Sequence, residues 1–183
     1  QAYAGLNQFY RVPGKFTVFG YAGPALVVQS GEEVRGYSAE LGTKVRVSKS
    51  FKFNIEGERA KGIDYSLLKP ALSHSFETGA QFRPGQALWL NLSAYQQWFE
   101  PEGEQRERIA RYYAKADWQL RRELGLRAIQ QATEQEGQLQ DLSSFLLLTW
   151  LESPGTEAYL GFSWQSEEDG SSPISAIAKY THL

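Results

Sequence analysis

Cysteine is absent from this chain of 183 residues, which removes disulfide frameworks, thiolate metal sites and cysteine nucleophiles together. Histidine occurs only at His74 and His182, too few imidazoles for a zinc cluster. Methionine is absent too, so Gln1 is not a translation start, and the sequence implies a removed export signal or excision from a longer chain. No stretch reaches the roughly 18–20 consecutive apolar residues that a membrane-spanning helix needs. The longest uncharged apolar run, residues 145–148 with Trp150 and Leu151, is strand-sized. A membrane crossing by this chain therefore has to be a barrel. Charge of one sign is lacking as well: 19 basic and 21 acidic residues are interspersed for a net −2. That leaves no basic stripe for nucleic acid and no solvating acidic tail.

With 42% apolar and 14% aromatic residues, the chain can build one domain. Its apolar residues alternate with period two in segments of about 10 to 13 residues, the signature of half-covered strands. The expected strands are 16–28, 37–47, 51–60, 71–83, 88–99, 109–120, 124–133, 142–151, 156–165 and 174–183. In the fourth, Leu72, Phe76, Ala80 and Phe82 share one face while Ser73, Ser75, Glu77, Gln81 and Arg83 share the other. The predicted connections alternate between tight turns at 48–50, 84–86, 121–123 and 152–155 and longer polar stretches at 29–36, 61–70, 100–108, 134–141 and 166–173. Short turns at one end and long loops at the other are the habit of bacterial outer-membrane barrels, whose turns are periplasmic.

Hairpins such as residues 45–58 and the closing residues 178–183 resemble outer-membrane β-barrel proteins of Gram-negative bacteria, a likeness of pattern that covers most of the chain. The resemblance implies an all-β, antiparallel up-and-down transmembrane barrel of about ten strands in the bacterial outer membrane. It implies contact with outer-membrane lipid and with other outer-membrane or periplasmic proteins, no cofactor, and porin-like transport or a structural part in an outer-membrane assembly. The class usually ends in an aromatic residue, whereas this chain ends in Leu183. Residues 15–183 form the expected barrel, and residues 1–14 a periplasmic tail or a strand remnant; an even strand count, with both termini on one side, favours the tail.

Alternation alone leaves the outer face undefined, because a soluble lipocalin-like carrier of an apolar ligand turns its apolar side chains inward. Turn asymmetry, strand length and the aromatics Trp98, Trp118, Trp150, Tyr159, Trp164 and Tyr180, placed to form interfacial girdles, favour the membrane. The lumen would then be lined by Glu40, Lys44, Arg46, Lys52, Glu56, Glu58, Glu77, Gln81, Arg83, Arg111, Lys115, Asp117, Arg127, Glu157 and Lys179. Asp117 is expected opposite Arg127 as a cross-strand ion pair, and such a network plugs a ten-stranded barrel against large solutes.

His74 lies beside Ser73, Ser75 and Glu77, the ingredients of a hydrolase acting on lipid. On a strand, however, it faces away from all three, so a surface or interfacial histidine is the better reading. Asn91 to Ser93 fits a glycosylation acceptor only formally, within a strand. Gly57, Gly79, Gly125 and Gly161 fall inside strands and form no phosphate loop.

Overall fold

The computed structural model describes residues 2–3, 6–12, 16–29, 32–64, 69–153, 156–167 and 174–182. All regular structure among them is strand: β1 (Ala2–Tyr3), β2 (Leu6–Val12), β3 (Phe16–Gln29), β4 (Glu32–Arg46), β5 (Phe51–Asp64), β6 (Lys69–Phe82), β7 (Leu88–Pro101), β8 (Glu107–Gln119), β9 (Leu124–Gln135), β10 (Gln138–Ser153), β11 (Thr156–Glu167) and β12 (Ile174–His182). From β3 to β12 each strand pairs antiparallel with the next, an up-and-down order of ten strands in one sheet. Both β1 and β2 pair with β3, the latter from Leu6 opposite Ala22 to Val12 opposite Phe16. Part of the segment expected as a tail or strand remnant is thus strand.

The strands outrun their sequence pattern. β4 spans 15 residues and β10 spans 16, where about 10 to 13 were expected. The growth is at the end assigned to long loops: strand fills most of 61–70 and 134–141, and only residues 136–137 separate β9 from β10. There Glu136 and Gly137 have φ of 52° and 80°, the conformation of a two-residue hairpin turn that usually takes Asn-Gly or Asp-Gly. The Glu136 carboxylate accepts the backbone N–H of Arg108 on the neighbouring hairpin. Alternation fades in these extensions although backbone pairing continues. The other end has compact links: Ser48 Oγ accepts the N–H groups of Ser50 and Phe51 at 3.1 and 3.0 Å, and Gln119 Nε2 donates to the Arg121 carbonyl at 2.6 Å.

Register fixes the faces, because directly opposed residues share one. Leu90 opposes Phe82 and Ala116, Ala116 opposes Ala128, and Ala128 opposes Leu146, which opposes Phe162. One apolar face therefore runs across six strands. Among the described residues only Ala71, Pro101 and Ala110 are buried apolar side chains, while Leu41, Leu92 and Trp118 remain 66%, 53% and 49% exposed. A sheet with no interior and large exposed apolar side chains needs an apolar medium outside the protein.

Candidate functional site: the polar face of the sheet

The opposite face collects the charges. Glu40, Lys44 and Arg46 of β4 stand opposite Glu58, Asn54 and Lys52 of β5, and Glu56 stands opposite Glu77 of β6. Arg111, Lys115 and Asp117 of β8 face Thr133, Ile129 and Arg127 of β9. Glu157 and Lys179 follow on β11 and β12, opposite Thr181 and Tyr159. Gln81 opposes Asn91 on β7. Arg83 lies just past β6 in the tight connection, where its backbone N–H donates to the Ser50 carbonyl at 2.7 Å. Every charged residue assigned to a lumen from the sequence thus belongs to the polar face or its rim.

Three local arrangements organise that face. In β4–β6 the acidic pairs Glu40 with Glu58 and Glu56 with Glu77 place four carboxylates side by side, and Ser38 Oγ donates to Glu58 Oε1 at 2.8 Å. Like charges directly opposed are unfavourable by up to about 1 kcal/mol, so water or counter-ions must screen them. Near the tight connections, Asp117 pairs with Arg127 across the β8–β9 hairpin and with Lys115 on its own strand at 3.0 Å. This is the cross-strand pair expected from the turn position. A depression of about 490 Å³ beside it is lined by Arg83, Trp89, Lys115, Arg127, Leu151 and Tyr159. Lys44 Nζ lies 5.0 Å from the centre of the Phe19 ring. That ring covers Gly42 so closely that a Cβ there would clash with it.

Some residues fall elsewhere than their pattern suggests. Tyr159, expected in an aromatic girdle, opposes Thr149 and Lys179 on the polar face. The other girdle candidates, Trp98, Trp118, Trp150, Trp164 and Tyr180, share the apolar face by register. Trp89, Phe145 and Leu147 lie on the polar face, a placement that only the paired register reveals. His74 stands opposite Arg59 and Trp98 on the apolar face, whereas Ser73, Ser75 and Glu77 project to the other. The triad ingredients are therefore not brought together. The side chain of His182 lies outside the described residues.

An up-and-down antiparallel sheet of long strands, apolar on one face and charged on the other, with tight turns at one end, defines the outer-membrane β-barrel class. No protein-family model matches the sequence, and no curated protein matches it. Solved structures do. OmpT, an outer membrane protein of Vibrio cholerae, superposes with TM-score 0.62 at 10% identity over 97% of this chain and 61% of that one. The outer membrane channel DcaP of Acinetobacter baumannii gives 0.65 at 7% identity, covering 97% and 62%. The ferric-catecholate import receptor Fiu from E. coli K12 gives 0.66 at 10% identity, covering 96% and 33%. The chain spans about three fifths or less of the length of these neighbours. The fold is that of bacterial outer-membrane barrels, whose place is the outer membrane and whose apolar face meets lipid.

Proposed function

We propose that the chain forms the wall of an outer-membrane pore, with the polar face lining a water-filled path. The observation that carries this reading is the ionised face itself. Removing such charges from water costs several kcal/mol per ion, and the opposed carboxylates of β4–β6 have no basic partner at their own positions. That face is stable where water reaches it. The fold neighbours include an outer membrane channel and an import receptor, in keeping with a path along the sheet's polar face.

Cations are concentrated toward the tight-turn end, where Arg46, Lys52, Arg83, Lys115 and Arg127 outnumber Asp117 and Glu157, whereas Glu40, Glu56, Glu58 and Glu77 lie farther along the strands with Arg111. The pore is a narrow one, its mouth constricted by the Asp117 network and by Trp89 and Tyr159. Reconstitution of the full chain in planar bilayers tests this. Stepwise conductance is expected, with reversal potential under a salt gradient moving toward cation selectivity in Arg46→Glu/Lys52→Glu. A folded, inserted protein without conductance would instead indicate a structural component of an outer-membrane assembly.

A further inference from the structure

On the lipid-facing side, the apolar runs of β5, β6 and β8 break at one cross-strand row, with Leu72 of β6 beyond it, and the run of β7 ends one pair earlier, at Gln96. On β5 the run Phe51, Phe53, Ile55 and Gly57 gives way to Arg59 and Lys61. On β6 the run from Phe82 to Phe76 stops at His74, and on β8 the run from Trp118 to Ala110 stops at Arg108. These ends are aligned: Arg59 opposes His74, His74 opposes Trp98, and Trp98 opposes Arg108. The row lies toward the end opposite the tight turns, which in this class faces the outer leaflet.

The cations of the row are largely uncompensated. Arg106 is neutralised by Glu100 at 3.3 Å and rests 5.5 Å from the Trp98 ring. Arg59, Lys61 and Arg108 have no ion-pair partner among the described residues, and Arg108 Nε has no hydrogen-bond partner. The acids on the same side are Glu100, which pairs with Arg106, Glu134, opposite Ala110, and Glu136, whose carboxylate already accepts the Arg108 backbone N–H. Below the row, past the rung formed by Gly57, Phe76, Gln96 and Ala110, the apolar face is grooved. Small Thr78, Ala80 and Ala94 lie between bulky Phe53, Ile55 and Leu92 and leave a cleft of about 520 Å³.

We infer that this row and the cleft beneath it form a binding site for a phosphorylated lipid of the outer leaflet, phosphates on Arg59, Lys61, His74 and Arg108 and an acyl chain in the cleft. Strands lie about 4.8 Å apart, so Arg59 and Arg108 are roughly 15 Å apart and suit a headgroup with more than one phosphate. Guanidinium groups are well matched to phosphate oxygens. The cleft distinguishes a lipid from a free anion, because inorganic phosphate has nothing to place in it. The inference rests on the membrane orientation of the sheet and is independent of conductance.

Native mass spectrometry of the full chain in detergent, with added diphosphoryl lipid A, tests the site. Arg59→Gln/Lys61→Gln is expected to reduce lipid-bound protein by about tenfold, and Arg108→Gln to reduce it less. Arg121→Gln/Arg122→Gln, which removes the same charge at the tight-turn end, leaves binding unchanged. Ala94→Trp, filling the cleft with every cation in place, also weakens binding. Heat-modifiable migration on a denaturing gel verifies the fold of each variant. Equal binding by folded wild type and Arg59→Gln/Lys61→Gln overturns the inference, as does undiminished binding of dephosphorylated lipid A. Displacement of the lipid by equimolar inorganic phosphate would reassign the row to a free anion and overturn it as well.

Discussion

The polar face is two different surfaces. Across β4–β6 it carries opposed carboxylates and lysines, while across β9–β10 the same face carries Ile129, Phe145, Leu147 and Leu151 around the lone guanidinium of Arg127. The first surface is charged; the second is largely covered by apolar side chains. Facing is therefore set by register, and the hydrophobicity of a single position does not reveal which side it takes.

β10 offers the severest test of that distinction, since Leu146 and Leu147 are adjacent leucines on opposite faces. Leu146→Arg puts a charge against lipid and is expected to cost about 2–4 kcal/mol near the bilayer midplane. Leu147→Arg, on the lumen side, is expected to cost much less. Reversible urea unfolding in phospholipid vesicles measures both; equal losses would dissolve the two-face assignment. A second contrast concerns glycines. Gly42→Ala drives a Cβ into the Phe19 ring and should cost about 1–3 kcal/mol through overpacking. Gly161→Ala meets Leu147 and Phe145 at an ordinary 3.6 Å and should be nearly neutral in the same assay.

Smaller effects sharpen the electrostatic side of the comparison. Asp117→Asn leaves Lys115 and Arg127 without their shared carboxylate. Both are partly exposed, so the expected stability loss is at most about 1 kcal/mol, and the clearer readout is a reversal potential shifted toward anions. Smallest is Glu56→Gln, which removes one charge from the acidic group of β4–β6. A gain of a few tenths of a kcal/mol is expected, and a loss would mean that a bound cation holds those carboxylates together.

Much of this was legible in the sequence because alternation is a local signal. The β5–β6 hairpin shows it, with Lys52 and Glu56 on one side and Phe53 and Ile55 on the other. The Asp117–Arg127 pair was legible for the same reason, since a tight turn fixes register over the next few residues. The β9–β10 connection was not. Glu136 replaces the usual Asn or Asp of its turn, and the polar strand ends beyond the lipid have no apolar partner to enforce a period of two. Tyr159 was misplaced because aromatic identity suggests an interface, while only its pairing with Thr149 and Lys179 assigns its face.

The sequence by itself determined that the chain is antiparallel β with one apolar and one charged face, because side-chain alternation follows from backbone geometry within each strand. It also excluded thiol chemistry and a spanning helix, since both require residues or runs that are missing. Only the tertiary structure decided which residues of separate strands share a row. The alignment of Arg59, His74, Trp98 and Arg108, the seat of Phe19 on Gly42 and the inward turn of Phe145 and Leu147 each depend on inter-strand register. Register is a property of pairs, set by backbone hydrogen bonds between segments that no single segment encodes.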